Sequence, residues 1–451
     1  MRTDRAESQK LWRRLVPPTR LGRRLAAQTI TFTTGEGAFN TGSAVFLTQV
    51  VGMSASRVGL ALTLVNVAEF LLAYPAGRVV DRLGPRRVWA VSMAVRGACF
   101  LALPFVGSFG AYLLVGTIFA AFSSAAQSGF RAYVVDVLPP ESRVETQAHL
   151  YSAVNLGFTL GAIVGGLALA TGDLDVIRWS PVFAAALTIL SAVRIAGLPA
   201  APHDLRVASG EARVRPPGPG PLRNRGWVLL TFCLGVLWTN QTLLHVVIPL
   251  WLVTATDAPH VLLAWLYGTN TVLCILLPAY TSKGARDLPG GLRYVWLSSG
   301  FFVASCLLTW TTHSTVGLVT VLLVWLGHVA VTAAELTMSG ASWAFQSELM
   351  DPRRRGEYQG VAAVTRAMGS MWAPALFTVL AMKGGGVGWL VIGAIVAGAA
   401  VLTGPSLRLA VRFRDQHFPV TEEDQEHQDA AEERATSTAA ENRSTGAAAG
   451  A

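Results

Sequence analysis

Twelve long apolar runs separated by short polar breaks organise the chain: 25–50, 57–76, 88–107, 110–136, 146–171, 179–198, 227–254, 260–280, 293–311, 315–346, 358–382 and 386–410. A helix of about 20 apolar residues crosses a hydrocarbon core of roughly 30 Å while bonding all its own backbone N–H and C=O groups. The pattern therefore predicts an all-α integral membrane protein with twelve transmembrane helices. The breaks alternate in charge. Arginines gather at every second one: Arg20, Arg23 and Arg24 before the first run, Arg206, Arg213, Arg215, Arg223 and Arg225 in the middle, and Arg408, Arg412 and Arg414 after the last. The breaks between hold little beyond Arg57, Asp173, Asp175, Arg178, Asp257, His313 and Lys383. Basic loops are retained in the cytoplasm, so the asymmetry places both termini there.

Six runs precede the stretch 199–225 and six follow it. That stretch contains Pro216-Pro217-Gly218-Pro219-Gly220-Pro221, too broken for a span, and reads as a cytoplasmic linker. The predicted organisation is a basic N-terminal arm at 1–24, a six-helix bundle at 25–198, the linker, a second six-helix bundle at 226–410 and a tail at 411–451. The tail is rich in Glu, Gln, Ala, Ser and Thr and is expected to be disordered, because it cannot bury enough apolar surface to fold. The first apolar run is long and has no small-residue cleavage site, so it is expected to stay as a span rather than leave as a signal peptide.

Composition narrows the class. Of 451 residues, 52% are hydrophobic and 14% charged, and the mean hydropathy is +0.45; soluble domains carry about a quarter charged residues. The net charge of +9 is spread over short loops without interleaved exposed aromatics, so topology accounts for it and no nucleic-acid partner is expected. Lysine occurs only at positions 10, 283 and 383, and with abundant Ala and Gly this suggests a GC-rich bacterial genome, hence a bacterial cytoplasmic membrane. Cys99, Cys233, Cys274 and Cys306 lie singly in apolar runs, which points to neither a disulfide nor a metal site. The sequence has no phosphate-binding GxxxxGK[ST] and no nucleophile elbow. Neither an enzyme, a cofactor nor ATP as energy source is indicated, which leaves an ion gradient.

One polar stretch carries more than topology. Gly77-Arg78-Val79-Val80-Asp81-Arg82-Leu83-Gly84-Pro85-Arg86-Arg87 joins the second and third runs as a short hairpin, with Asp81 among Arg78, Arg82, Arg86 and Arg87. Gly77 admits a close backbone approach and Gly84 a sharp reversal. The register of Gly77, Asp81, Arg82, Gly84 and Arg86 resembles the signature loop of the major facilitator superfamily, with Pro85 standing where that family usually has a basic residue. The bland alternative is an ordinary basic cytoplasmic turn. The resemblance implies two six-helix pseudo-repeat bundles, a gating role for this loop, and a central cavity lined by spans one, four, seven and ten. A worn second copy of the loop lies near 279–286, with Lys283 roughly where an aspartate would fall. In span five, Gly157, Gly161, Gly165 and Gly166, near Asn155, make a smooth face for helix packing. The same run resembles the antiporter motif of drug–proton exchangers, with Ala162 in place of its proline; packing and an export signal both fit. The family's span-four arginine is missing, Thr117 falling near its place.

Charged groups inside a bilayer cost about 2.5–3.5 kcal/mol each on insertion scales, so they mark partners or purpose. Glu36 sits mid-way along span one with Asn40 one turn on. Glu69 in span two and Arg96 in span three lie at similar depth and are expected to form a structural ion pair. Trp238, Gln241 and His245 share a stripe of span seven, next to Asn240, and His328 and Glu335 share a face of span ten. Glu36, Asn40, Gln241, His245, His328 and Glu335 are the candidates for proton coupling or substrate binding; for the two histidines, hydrogen-bonded packing fits equally. Arg366 lies in the cytoplasmic half of span eleven, and Arg131 and Asp136 end span four as expected contacts of the inward gate. The function these readings favour is proton-coupled efflux of a small amphipathic compound by a monomer in the lipid bilayer. Proton-coupled import of a nutrient is the alternative, and a non-transporting receptor a more distant one.

Overall fold

The computed structural model describes residues 16–210 and 218–418. Its elements are almost all helical and follow the apolar runs. Span one is Arg20–Val45, continued by a wide π-helical segment Phe46–Val50. Spans two to six are Ala55–Leu83, Pro85–Ala102, Phe109–Val137, Pro140–Ala170 and Leu174–Ala196. Span seven, Arg225–Ala255, is interrupted by a turn at Trp238 and a π-helical segment Leu243–Val247. Span eight is a pair, Leu262–Leu276 and Pro278–Gly284, bent by 52° where Pro278 removes a backbone donor. Spans nine to twelve are Leu288–Thr311, Leu318–Leu349, Arg355–Lys383 and Gly385–His417.

Among the described residues, nine helices are long and apolar enough to cross a membrane by length and composition, or ten with the bent pair. Spans one and eleven fall below that threshold because of what they carry: Gln28, Thr33, Thr34, Glu36 and Asn40 in one, Glu357, Gln359 and Arg366 in the other. Polar side chains on a span need protein or a wet pathway rather than lipid beside them.

The packing repeats. Span one packs on spans five and six, two on four, and three on four and six; seven packs on eleven and twelve, eight on ten, and nine on ten and twelve. Adding six to each number of the first set yields the second, so the chain is two six-helix bundles of one design. Contacts between the bundles obey the same rule: two meets eleven as eight meets five, and four meets eleven as ten meets five.

Three expectations change at the helix ends. The stretch 77–87 is not an open hairpin: helix runs to Leu83 and restarts at Pro85, and the whole reversal falls on Gly84 at φ +90°, a region that favours glycine. The linker holds a seven-residue helix, Pro202–Ala208, whose Asp204 side chain accepts from the Ala201 N–H at 2.9 Å. Span twelve continues through 411–417, helical where a tail was expected. Residues 1–15 of the arm and 419–451 of the tail lie outside the described residues.

Candidate functional site

At the arginine-rich ends the two bundles are locked together. Asp81 accepts the N–H groups of Gly356 at 2.7 Å and Glu357 at 2.8 Å, the first free donors of span eleven. This approach needs two glycines. A Cβ on Gly77 would collide with the carbonyl of Gly356, and one on Gly356 with the carbonyl of Gly77 and, at 2.7 Å, with Asp81 Oδ1. Gly360 continues the seam against Ala73 and Tyr74. Of the two partners expected for Asp81, N–H groups at a helix start and the basic cluster, only the first is present: Arg78 pairs with Glu357 at 3.5 Å, Arg82 is exposed, and the Arg86 side chain donates to the Leu198 carbonyl at 2.6 Å. Asp81 points across the interface to span eleven, away from its own arginines.

The linker helix closes the same end. His203 Nε2 meets the Asp81 carbonyl at 2.7 Å, while its backbone N–H donates to Asp136 at 2.7 Å. Asp136 pairs with Arg355 from the other bundle. Arg206 donates to the Pro352 carbonyl at 3.0 Å and to His203 Nδ1 at 3.2 Å, which leaves Nε2 as the protonated, donating nitrogen of a neutral ring. Burial pushes the His203 pKa below its usual range. Asp204 accepts the Arg86 N–H at 3.1 Å and so fixes the Gly84 turn.

Deeper in the membrane, Glu335 of span ten joins the bundles. Tyr151 of span five donates its hydroxyl to Oε1. Asn270 of span eight donates to Oε2 at 3.0 Å and to Thr332 at 3.1 Å, and Cys274 Sγ lies 3.7 Å from Oε2. The carboxylate is buried and fully partnered, with one partner from the opposite half. Beside it, the His245 ring stacks on Tyr267 at 5.8 Å and the His328 ring meets the same tyrosine edge-on at 6.5 Å. His245 is exposed and His328 buried. Among the described residues Gln241 donates to its neighbour Asn240 alone, at 3.4 Å, and the turn at Trp238 and the π-helical segment break the expected stripe.

The expected Glu69–Arg96 pair does not form. Arg96 pairs with Glu36 and lies 4.8 Å over the Phe119 ring. Glu69 makes no ion pair among the described residues; its backbone carbonyl accepts from Ser124 at 3.1 Å. Glu36 and Asn40 share a helix face, but Asn40 is exposed and forms no hydrogen bond to Glu36. Gly157, Gly161 and Gly165 press on span one, where a Cβ would strike Thr33, Thr34 and Ala38 respectively; Gly166 faces open space and is no part of the seam. Lys283 lies 5.6 Å over the Tyr280 ring and makes no counterpart of the Asp81 contact. Arg131, expected beside Asp136 in the gate, makes no ion pair among the described residues, and Asp136 takes Arg355 instead. Arg366 lies 4.1 Å over the Trp238 ring in a recess with Ser342 and Gln346.

Sequence reading missed Tyr151, Asn270, Arg355, Gly356 and His203. Asn270, a lone amide in an apolar run, was visible in principle. Gly356 acts through its backbone and has no side-chain signature.

The match to known proteins agrees with this architecture. A gallate transporter from Pseudomonas putida is 30% identical over 145 residues, 31% of this chain and 32% of that protein. The enterobactin exporter EntS from Escherichia coli is 28% identical over 159 residues, 34% of this chain and 38% of that protein. The chain thus spans about a third of the length of these curated relatives. A bacterial homologue of the iron transporter ferroportin, solved in an outward-facing state with soaked iron, superposes with a TM-score of 0.67 at 16% identity, covering 86% of this chain and 99% of that one. At that identity the likeness speaks for the fold. The model of the Major Facilitator Superfamily matches residues 25–374. With its twelve helices in two like bundles, the chain belongs to the Major Facilitator Superfamily.

Proposed function

We propose that the protein is a monomeric secondary transporter of a bacterial cytoplasmic membrane that exports a small amphipathic compound in exchange for protons. The arginine-rich face is cytoplasmic in this reading, and the Asp81, Asp136 and His203 contacts form the closed inner gate. The observation that carries it is the Glu335–Tyr151 bond between bundles. A hydrogen bond to a charged acceptor is about twice as strong as one to a neutral group. Protonating Glu335 weakens the tie, so proton binding and separation of the bundles become one event, which is what alternating access driven by a proton gradient requires. Glu36, neutralised by Arg96, is assigned an architectural role, and the aromatic strip of His245, Tyr267 and His328 lines the path. The stretch matched to an enterobactin exporter supports the direction.

Proton-coupled uptake is the second reading, kept open by the relative named a gallate transporter. Both are tested in proteoliposomes holding a pH-sensitive dye, with a panel of naphthalene probes that are anionic, neutral or cationic. Export predicts that at least one probe moves against its gradient, opposite to protons. Co-directional movement establishes uptake, and flux indifferent to pH removes proton coupling. Glu335→Gln is expected to keep downhill exchange and lose uphill movement.

A further inference from the structure

Four membrane-buried or gate carboxylates are answered. Glu36 faces Arg96, Asp136 faces Arg355, Asp81 faces the start of span eleven, and Glu335 is held by Tyr151 and Asn270. Two guanidinium groups are not. Among the described residues Arg131 of span four and Arg366 of span eleven make no ion pair, and Glu69, the unpaired carboxylate of span two, reaches neither. The two helices touch across the interface, and Arg131 and Tyr151 lie within electrostatic reach of Arg366. Both arginines are half-buried, so their nitrogens are not sealed into protein. Two like charges within electrostatic reach in a membrane protein repel and are poorly solvated, and a fold keeps them only where something else supplies the negative charge.

The surroundings say what that is. The Arg366 guanidinium carbon lies 4.1 Å from the centre of the Trp238 ring, and a guanidinium carries its N–H donors in the fork geometry that matches a carboxylate. Ser342 and Gln346 line the same recess, and Trp343 meets Tyr151 edge-on at 5.9 Å. We infer that the substrate of this interface is an aromatic carboxylate, its anionic group held between Arg131 of one bundle and Arg366 of the other and its ring against the Trp238 and Trp343 indoles. This rests on the transport reading above and supplies its substrate class.

The test is binding to the purified full chain in detergent, read by tryptophan quenching, with three probes of nearly one shape: 2-naphthoate, 2-naphthamide and 2-naphthamidine. Naphthoate is expected to bind at least about 10-fold more tightly than the amide, with the amidine weakest. Arg131→Gln and Arg366→Gln should each weaken naphthoate about 10- to 100-fold, the range for a hydrogen bond to a charged group, and leave the amide unchanged. Arg366→Lys, which keeps the charge but not the fork, should fall between and covers the case in which the glutamine variant does not fold. Equal or tighter binding of the amide or amidine overturns the inference, as do naphthoate affinities unmoved by the variants or no binding of any probe. Because binding needs no gradient, naphthoate bound without coupled flux would sink only the export reading. Proton-coupled flux of the amidine without naphthoate binding would sink only this site.

Discussion

Asp81 binds backbone rather than arginine, and this sets what its substitution does. Two N–H groups at the start of span eleven, at 2.7 and 2.8 Å, complement its charge, and such a contact in partly buried geometry contributes up to about 2 kcal/mol. Asp81→Asn keeps one acceptor oxygen and loses the charge, so the closed gate should lose population by a factor of about 5–30. Transport should drop accordingly while the amount of protein in the membrane holds; wild-type transport by Asp81→Asn would take the residue out of the gate. Gly77→Val is expected to act more strongly, since its side chain would meet the Gly356 backbone, which has no way to yield. The positions of Gly77, Asp81 and Gly84 were legible from their spacing. That a helix start would supply N–H groups to Asp81 was legible too, but not which helix, because a backbone N–H 275 residues away leaves no mark in the sequence.

Among elements, sequence depth alone misassigned a partner. Glu36 and Glu69 both lie at a depth that suits Arg96, but depth along a helix does not say which neighbour a side chain faces. The long Arg96 side chain reaches span one. Removing one member of a buried pair costs about 3–5 kcal/mol, whereas removing both for apolar residues is often neutral. Glu36→Gln should therefore lower the melting temperature in detergent by several degrees, Glu69→Gln should not, and Glu36→Leu with Arg96→Met should recover most of the loss. Equal losses for Glu36→Gln and Glu69→Gln would contradict the pairing. The linker helix was likewise hidden, since its seven residues sit in a Pro-rich stretch that reads as irregular. Its docking should respond to pH. Burial holds the His203 pKa below that of the undocked ring, near 6.5, so the undocked helix takes up the proton first as pH falls. The docked state is at full strength above that value and weakens below it, by up to about tenfold per pH unit. Asp81, Asp136, Asp204 and Arg206 surround the ring and set how far the shift extends. Ala201, fully buried beside the helix, gives the readout: in Ala201→Cys, maleimide labelling from the arginine-rich side should accelerate below about pH 6.5 and show no such rise in His203→Gln. The four native cysteines are buried and contribute little background.

At the scale of the whole molecule, the two-bundle fold was readable because bilayer thickness and loop charge act on every span alike, and the linker divides the series into equal halves. The central charges were harder to read. Arg131 and Arg366 looked like a loop contact and a stray cation until the fold set spans four and eleven against each other. On the proposed reading, they and Glu335 together set the sign of what moves. An aromatic monoanion leaving as one proton enters carries two charges through the membrane field per cycle. Each charge is worth about 2.3 kcal/mol per 100 mV, so the exchange gains about 4.6 kcal/mol, on the order of a 10³-fold gradient per 100 mV. The same anion entering with one proton carries no net charge. In vesicles clamped with potassium and valinomycin at zero pH gradient, the steady-state 2-naphthoate ratio should rise steeply as the compartment bordering the arginine-rich face is made negative, with the anion driven out of it. A ratio indifferent to the potential would mean that anion and proton travel together, and the protein would then be an importer built on the same two arginines.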